Sequence, residues 1–402
     1  MVKIGLIREG KIPVDKRVPL TPEQASRVKQ IYGSEVVAQS STVRCFSNDD
    51  YLAAGIPIGD SVSDCDIILG VKEVPLDDLI ENKTYFFFSH TIKKQAYNRK
   101  LLQELVKKNI RMVDYETLTN KDGQRIVAFG RWAGIVGAYN GILTFGRRFN
   151  FYNLKPANQC HDLEELKTEL SKVDLPNIKI VLTGGGRVAQ GAMEILDAAG
   201  IRKVSAKDIL KSRFDEAVYA QLNMNDYNLT LDGSSNFVIN EFHKQPERFK
   251  GDFLKYTKVA DLLIAGAYWD PKAPVLFTRA DAQNPDFNIK VIADITCDIE
   301  GSIPSTLRAS TIDQPHYDYS PIEGVEKPAF SSENNITVMA VDNLPCELPR
   351  DASNAFGEQL IDNVLPHLLG DDKEGVIERA TICKNGKLTE HYSYLQDFLD
   401  GK

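Results

Sequence analysis

The sequence lacks the spacings that most metal sites and disulfide frameworks require. Its six cysteines include no C-x-x-C pair, and its six histidines include no H-E-x-x-H pattern. This spacing predicts neither a bound metal nor a disulfide framework. It favours reduced and mostly buried thiols instead.

The chain is also short of positive charge and of long apolar stretches. Lysine and arginine total 48 against 56 acidic residues, whereas a nucleic-acid surface is normally basic. No run approaches the roughly 20 apolar residues that a membrane helix needs. The strand-like run Val2–Ile7 begins at once and leaves no room for a targeting peptide. We therefore expect a cytoplasmic protein that binds neither nucleic acid nor a membrane.

A chain of 402 residues is too long for one ordinary core, so two domains are expected. The first 130 or so residues alternate between short apolar runs and amphipathic stretches, which is typical of an α/β domain with a mostly parallel sheet. A first helix is predicted from the N-cap Thr21 to Gly33, and a second over Lys94–Asn109. The strands predicted here are Lys3–Ile7, Glu35–Ala38, Asp66–Gly70, Thr84–Ser89 and Arg111–Tyr115.

The rest of the chain continues the alternating pattern. Gly134–Phe149 is predicted to be a buried helix whose small residues allow close packing, and Asn158–Pro176 an exposed amphipathic helix. The polar and aromatic segment Ser212–Tyr256 is interpreted as an insertion. The last 60 residues, after Val341, look helical and could close the second domain or return to the first. Further strands are predicted at Ile178–Leu182, Asp261–Ala265 and Lys290–Ile295.

A glycine-rich turn between a strand and a helix carries the cofactor prediction. In dinucleotide folds the first glycine, here Gly184, makes the turn, and the next lets backbone N–H groups approach a pyrophosphate. A small residue such as Ala189 then lets the helix pack on the strand. The pyrophosphate charge lies at the helix N-terminus, where unpaired N–H groups favour an anion. The predicted cofactor-binding residues of this turn are Gly184, Gly186, Arg187 and Val188.

The choice between NAD and NADP stays open. The end of the next strand should read the adenosine ribose, with an acidic residue favouring NAD and a basic one NADP. We interpret Arg202–Asp208 as that segment, and it offers both Lys207 and Asp208. Either residue could equally be a solvated charge at the start of a helix. The predicted cofactor is therefore NAD or NADP.

Candidate substrate-binding residues follow predicted strands of the first domain. Lys72 and His90 each stand just past a strand end, and the carboxyl ends of parallel strands share one edge of a sheet. A lysine and a histidine together suit proton transfer near neutral pH. Arg17 and Arg125 near the same crevice would bind carboxylates. Taken singly, each of the four could be an ordinary surface or structural side chain.

Several segments resemble a known family. Asp15–Pro22 resembles the substrate-binding opening of the alanine dehydrogenase and transhydrogenase superfamily. Others resemble saccharopine dehydrogenases, most of all the lysine–2-oxoglutarate reductase half of the bifunctional lysine-degrading enzyme. The resemblance covers nearly the whole chain, and its segments are Gly70–Pro75, Thr84–Lys93, Val113–Glu116, Val127–Gly134, Pro246–Phe249, Ile264–Asp270 and Val341–Pro349.

The resemblance implies roles for individual residues. Lys72 and His90 match the family's acid–base pair, and Arg17 and Arg125 match arginines that hold substrate carboxylates. The resemblance also implies that three acidic residues tune the pKa values of the site and orient the amine. They are Glu73, Glu116 and Asp342. The resemblance further implies that the loop facing the nicotinamide carries Asp294 and Asp298.

The implied architecture is two Rossmann-like α/β domains flanking a cleft, with the C-terminal segment returning to the first domain. The substrate domain is expected at residues 1–134 and 341–402. The dinucleotide-binding domain is expected at 135–340, with its insertion at about 212–256.

The implied activity is the NAD(P)H-dependent interconversion of lysine plus 2-oxoglutarate and saccharopine. An alanine dehydrogenase-like enzyme and a non-catalytic nucleotide-binding module are the alternatives. The partners expected are these small molecules, with a homo-oligomer as a further expectation. The physiological direction of the reaction stays open.

Overall fold

Strand pairing builds two separate eight-stranded sheets in the computed structural model, which describes residues 2–233 and 237–402. The first unit contains the chain up to Phe129 together with Pro349–Lys402, and the second unit contains Gly130–Leu348. The sequence boundaries at 134 and 341 fall inside the second unit. The first boundary differs because one continuous helix, Gly130–Phe149, runs through residue 134.

The N-terminal part of the first unit alternates strands with helices, as predicted. Its strands are β1 (Lys3–Leu6), β2 (Glu35–Gln39), β3 (Ile58–Gly59), β4 (Ile67–Leu69), β5 (Thr84–Phe87) and β6 (Arg111–Asp114). Its helices are α1 (Pro22–Tyr32), α2 (Asn48–Ala53) and α3 (Arg99–Lys107). The pairings between these six strands are all parallel. This confirms the prediction of an α/β domain with a mostly parallel sheet.

Helix α1 begins and ends where the sequence predicts. Thr21 is the N-cap: its side chain accepts a hydrogen bond from the backbone N–H of Gln24, and the Gln24 side chain accepts one from the backbone N–H of Thr21. This reciprocal pair satisfies two N–H groups that have no partner inside the helix. Gly33 ends the helix in the left-handed region, with φ 63°.

The first sheet is buried on both faces. Phe86 of β5 packs in one apolar cluster with Ile4 and Leu69, whereas its neighbours Tyr85 and Phe87 pack in another. Successive side chains of a strand point to opposite faces, so a parallel sheet covered on both sides needs continuous apolar runs. The run Thr84–Phe87 is a strand of this kind.

The second unit contains the second sheet. Its strands are β7 (Lys179–Thr183), β8 (Arg202–Lys203), β9 (Val218–Leu222), β10 (Asn228–Thr230), β11 (Phe249–Gly251), β12 (Leu262–Ala265), β13 (Val291–Asp294), β14 (His316–Ser320), β15 (Val325–Lys327) and β16 (Ile336–Met339). Its helices are α4 (Gly130–Phe149), α5 (Leu163–Glu169), α6 (Arg187–Ala198), α7 (Asp208–Lys211), α8 (Met224–Tyr227), α9 (Ile239–Lys244), α10 (Leu254–Thr257) and α11 (Arg279–Ala282). The sheet order is β15-β14-β16-β13-β12-β7-β9-β8, and β10 pairs only with β11.

The position of β9 corrects the sequence interpretation of the insertion. The sequence predicts an insertion over Ser212–Tyr256, but β9 lies inside the main sheet, parallel to β7 along its full length. β8, the expected neighbour of β7, is only two residues long and pairs with the outer side of β9. The part outside the main sheet therefore begins after β9.

Helices α4 and α6 pack with their backbones in contact. A Cβ at Gly134 would lie 1.9 Å from the carbonyl oxygen of Val188, and a Cβ at Gly191 would lie 2.0 Å from the carbonyl oxygen of Arg131. No side chain larger than hydrogen fits at either point. This confirms the prediction that the small residues of α4 allow close packing against a neighbouring element.

The C-terminal segment returns to the first sheet, as the resemblance implies. Its helices are α12 (Pro349–Asn363), α13 (Leu365–Leu369), α14 (Val376–Ala380) and α15 (Gln396–Asp400). It also forms two strands that the sequence prediction of an all-helical end missed: β17 (Thr381–Lys384), which is antiparallel to β6, and β18 (Lys387–Leu388). The full order of the first sheet is β18-β17-β6-β5-β4-β1-β2-β3.

Candidate functional site

The carboxyl ends of β4 and β5 bring Glu73 and His90 together in the first unit. Nδ1 of His90 lies 2.6 Å from Oε1 of Glu73, and Nζ of Lys11 donates to Oε2 of Glu73 at 2.6 Å. Burial disfavours the charged carboxylate, but the hydrogen bonds from His90 and Lys11 outweigh it and lower the pKa of Glu73 to about 2. Glu73 is therefore an anion that binds one cation and one imidazole.

Lys72 is next to Glu73 in the chain and is half-buried. Burial lowers the pKa of Lys72, and the positive charges of Arg17 and Lys11 lower it further. Its Nζ makes no hydrogen bond to any residue that the structure describes. An amine in this state can act as a proton donor or acceptor nearer to neutral pH than an ordinary lysine.

Glu9 supports the turn that carries Lys72, and sequence reasoning missed it. Its Oε1 accepts a hydrogen bond from the backbone N–H of Val71 at 2.7 Å, and its Oε2 accepts one from that of Lys72 at 2.9 Å. Burial and the charge of Asp15 raise the pKa of Glu9 to about 8, although the two N–H groups oppose the shift. The sequence signal that could have identified Glu9 is its position just past β1, at the same edge of the sheet as Lys72 and His90.

Arg17 is buried and paired within its own loop. Its Nε donates to Oδ1 of Asp15 at 3.0 Å and its Nη2 to Oδ2 at 2.6 Å, while the guanidinium carbon lies 4.2 Å from the centre of the Phe129 ring. Burial of an arginine requires such pairing, because an uncompensated charge is costly in a low dielectric. Asp15 therefore occupies one side of the guanidinium that the sequence predicts will hold a substrate carboxylate.

A hydrogen-bonded pair, Ser89 and Asp114, connects the ends of β5 and β6 next to His90. Buried Asp114 accepts hydrogen bonds from the backbone N–H and the hydroxyl of Ser89. Next in the chain, His90 has φ 54°, in the left-handed region. The anchor at Ser89 holds this uncommon backbone conformation in place.

The remaining predicted substrate residues lie in different surroundings. Oε1 of Glu116 is 3.5 Å from Nζ of Lys93, and its Oε2 is buried without a hydrogen-bond partner among the described residues. Arg125 lies in the loop after β6, where its backbone forms a bridge with Thr119. Asp342 is exposed and follows β16, so it belongs to the second unit. Among the predicted substrate residues, Glu73 and His90 are thus in direct contact, and Lys72 is next to Glu73 in the chain.

In the second unit, the glycine turn between β7 and α6 has the form that a pyrophosphate requires. Gly184 has φ 103°, and a Cβ there would lie 3.0 Å from the carbonyl oxygen of Gly266. A Cβ at Gly186 would have nothing within 4 Å, so this residue borders open space. Gly186 is also the N-cap of α6, whose first residue is the exposed Arg187. The turn and the helix N-terminus fit a dinucleotide.

Residues at the end of β9 contact this turn, and sequence reasoning missed them. Nε2 of Gln221 donates to the carbonyl oxygen of Gly184 at 2.8 Å and to Oδ1 of Asn223 at 2.9 Å. A Cβ at Gly185 would lie 3.0 Å from that same Oδ1. The premise that the segment after β8 adjoins the turn is wrong, because β9 separates β8 from β7.

The side chains that follow β8 form local contacts instead. The carboxylate of Asp208 accepts from the hydroxyl of Ser205 at 2.7 Å, and Lys207 is exposed just before the short α7. The sequence before Val218 contains no pattern that indicates β9, and not β8, as the strand whose end should contact the ribose.

Asp294 organises the loop after β13. Its Oδ1 accepts hydrogen bonds from the backbone and hydroxyl of Thr296 and from the backbone of Cys297, and its Oδ2 accepts one from the hydroxyl of Thr306. Burial raises the pKa of Asp294, although these hydrogen bonds oppose the shift. These contacts give Asp294 a role within its own loop, and its cofactor role stays a prediction.

Among the residues that the structure describes, no helix is long and apolar enough to cross a membrane.

Two family models match this sequence. The model described as "Alanine dehydrogenase/PNT, N-terminal domain" matches residues 5–136, and the one described as "Alanine dehydrogenase/PNT, C-terminal domain" matches residues 163–391. The glycine turn and the end of β9 lie inside the second match. Lys72, Glu73 and His90 lie inside the first.

Relatives with assigned names resemble nearly the whole chain. The alpha-aminoadipic semialdehyde synthase of Rattus norvegicus, named as mitochondrial, is 30% identical over 99% of this chain and 48% of its own length. The saccharopine dehydrogenase [NAD(+), L-lysine-forming] of Emericella nidulans is 27% identical over 90% of this chain and 91% of its own. The chain thus spans about half the length of the synthase and nearly all of the dehydrogenase.

Solved structures share the fold at low identity. An L-alanine dehydrogenase is 17% identical, with a TM-score of 0.64, and the match covers 99% of each chain. A transhydrogenase from Sinorhizobium meliloti is 12% identical, with a TM-score of 0.62, over 96% of this chain and 100% of that one. At these identities the likeness shows the fold alone.

Proposed function

Because the chain belongs to the alanine dehydrogenase/PNT family, we propose that it is an oxidoreductase that interconverts saccharopine with L-lysine plus 2-oxoglutarate, using NAD or NADP. The similarity to a saccharopine dehydrogenase over nine tenths of both chains carries the choice of substrate. The similarity to an alanine dehydrogenase, at low identity, supports only the fold and not the choice of substrate. A soluble cytoplasmic location and a homo-oligomer remain predictions.

The proposed reaction joins the ε-amine of lysine to the keto carbon of 2-oxoglutarate. The amine attacks the carbonyl, water leaves, and the resulting imine takes up a hydride to give saccharopine; oxidation reverses these steps. A bound nicotinamide would supply or accept that hydride. What this chain's own residues must do is hold the substrate and move protons at nitrogen and oxygen.

Lys72 and His90 are the proposed proton carriers. A lowered lysine pKa and an imidazole held by a carboxylate suit transfer near neutral pH. With Nδ1 directed at Glu73, Nε2 of His90 is the ring atom left to exchange a proton with substrate. Glu73 thereby orients the ring and balances positive charge that forms on it.

Arginine side chains are proposed to bind the substrate carboxylates. The positive charge of Arg17 contributes to the lowered pKa of Lys72, so Arg17 is near the proposed proton carrier. The Arg17 guanidinium, which Asp15 orients, would bind one of the substrate carboxylates. Arg125, Glu116 and Asp342 keep the roles that the resemblance implies. Holding the carboxylates would align the keto carbon for attack and hydride transfer.

A pair of assays tests the proposal. NADH and NADPH oxidation is followed with 2-oxoglutarate plus L-lysine and, separately, with pyruvate plus ammonia. We expect turnover with lysine and 2-oxoglutarate and formation of saccharopine, identified by mass spectrometry. Turnover only with pyruvate and ammonia would instead establish an alanine dehydrogenase.

A further inference from the structure

The hydrogen bonds at the end of β9 determine how the Asn223 amide is oriented. The carbonyl oxygen of Gly184 can only accept a hydrogen bond, so the atom of Gln221 that faces it at 2.8 Å must be the Nε2 amino group. The same amino group donates its second hydrogen to Asn223 at 2.9 Å. Asn223 must therefore present Oδ1 to Gln221. Its Nδ2 group is left pointing elsewhere as a donor.

This donor is exposed beside the glycine turn. Asn223 is exposed, and its Nδ2 makes no hydrogen bond to any residue that the structure describes. Its Oδ1 lies 3.0 Å from where a Cβ of Gly185 would be, so the side chain borders the middle glycine of the turn. A ligand that binds across this turn would meet two N–H donors of a neutral amide.

The place of Asn223 in the sheet corresponds to the position that reads the adenosine ribose. In dinucleotide folds this residue stands at the carboxyl end of the strand next to the first strand, where an acidic side chain accepts a hydrogen bond from the ribose 2′-hydroxyl. Here that neighbouring strand is β9, and Asn223 directly follows it. An acidic residue at this point would also repel a 2′-phosphate, which an amide does not do.

The nearest carboxylate along the chain is engaged in another contact. Oδ2 of Asp226 accepts a hydrogen bond from the backbone N–H of Asn223 at 2.7 Å. That contact holds the start of α8. The side-chain group offered beside the turn is thus the Asn223 amide.

We propose that Asn223 donates a hydrogen bond to the 2′ substituent of the adenosine ribose, and that the site therefore binds NADPH at least as tightly as NADH. The inference rests on the proposed dinucleotide site and deepens it by naming the specificity residue. A phosphate oxygen accepts from the amide more strongly than a hydroxyl does, because the bond is charge-assisted.

Direct binding measurements test the inference without turnover. The Kd values of NADPH and NADH are measured by fluorescence titration for the wild type and for Asn223→Asp. The aspartate keeps an acceptor for Gln221, so the variant should fold. We expect the Kd of NADPH to rise at least about tenfold in the variant, which is the effect of losing one charge-assisted bond, while that of NADH changes less than about threefold.

Two further variants separate the explanations. Asn225→Asp adds the same charge two residues later, at an exposed position, and should change the ratio of the two Kd values far less than Asn223→Asp does. Asp208→Asn tests the position after β8; if it shifts the ratio and Asn223→Asp does not, the inference is wrong. Tighter binding of NADH than of NADPH by the wild type would also overturn it. If neither cofactor binds the wild type, the proposed function itself fails.

Discussion

Nδ1 of His90 and Oε1 of Glu73 are 2.6 Å apart, at the ends of two neighbouring parallel strands. The contact fixes the orientation of the imidazole and leaves Nε2 without a hydrogen-bond partner among the described residues. A carboxylate that orients a histidine in this way also stabilises the cation that the ring becomes when it takes up a proton. The pair therefore has the geometry of a positioned acid–base group.

Replacing Glu73 by glutamine should lower kcat at least about tenfold, because the ring loses the charge that stabilises its protonated form. Saccharopine formation measured across pH 6–9 checks this, together with the Kd of the cofactor. Glu23→Gln, an exposed glutamate in the first turn of α1, is the matched control and should leave kcat unchanged. A Glu73→Gln enzyme with wild-type kcat at every pH would remove Glu73 from the proposed mechanism.

The same variant should change the response of stability to acid. The folded pKa of Glu73, about 2, is below its ordinary value of 4.5, so ionised Glu73 stabilises the folded state above pH 4.5, and this contribution is lost as the pH falls towards 2. The shift corresponds to at most about 3 kcal/mol. Urea unfolding at pH 6 and pH 3 should therefore show a smaller loss of the free energy of unfolding in Glu73→Gln than in the wild type. Equal losses would contradict the lowered pKa.

Lys72→Met removes the proposed proton carrier without removing an internal hydrogen bond. We expect kcat to fall by about 100-fold to 10,000-fold, the usual effect of losing a general acid or base. The Kd of NADPH should stay within about twofold, because Lys72 is proposed to move protons and not to bind the cofactor. Lys100→Met, at an exposed position of α3, serves as control. Unchanged turnover in Lys72→Met would remove Lys72 from the proposed mechanism, whereas cofactor binding without turnover in the wild type would favour a non-catalytic nucleotide-binding module.

Glu9 is expected to act through the backbone of Lys72. Glu9→Gln turns an acceptor into a donor facing the N–H of Val71 or Lys72, so one of the bonds at 2.7 and 2.9 Å is lost. We expect kcat to fall about tenfold or more, as misplaced reacting groups do, with little change in the Kd of NADPH. Glu9→Ala, which frees both N–H groups without placing a donor against them, should lower kcat as well. If only the free energy of unfolding changed, Glu9 would be structural.

The fold was largely predictable, because buried parallel strands carry local signals. The apolar runs around β1, β4 and β5 mark them within two residues of their ends. The rule that such ends share one edge then placed Lys72 and His90 near each other. β17 escaped prediction because its partner β6 is more than 250 residues away in the chain.

The missed site residues depend on contacts that no local pattern encodes. Glu9 binds backbone groups 62 and 63 positions away, and such a contact exists only once β1 and β4 are paired. β9 lies in a polar segment, so its burial between β7 and β8 could not be inferred from periodicity. The position of Asn223 beside the glycine turn could therefore be recognised only from the strand order of the folded sheet.

Two glycines of the same turn offer a matched test of the dinucleotide site. Gly186→Ala adds a methyl group into open space at an ordinary φ of −85°, so we expect the melting temperature to stay within about 2 °C of the wild type. That methyl would stand where the pyrophosphate must approach the backbone, and the Kd of NADPH should rise about tenfold or more. Gly184→Ala should instead destabilise the fold by about 1–3 kcal/mol, because alanine is strained at φ 103° and its Cβ would contact the carbonyl oxygen of Gly266. Thermal unfolding and fluorescence titration of both variants separate the two effects. Wild-type affinity for NADPH in a stable Gly186→Ala protein would show that the turn does not hold the pyrophosphate.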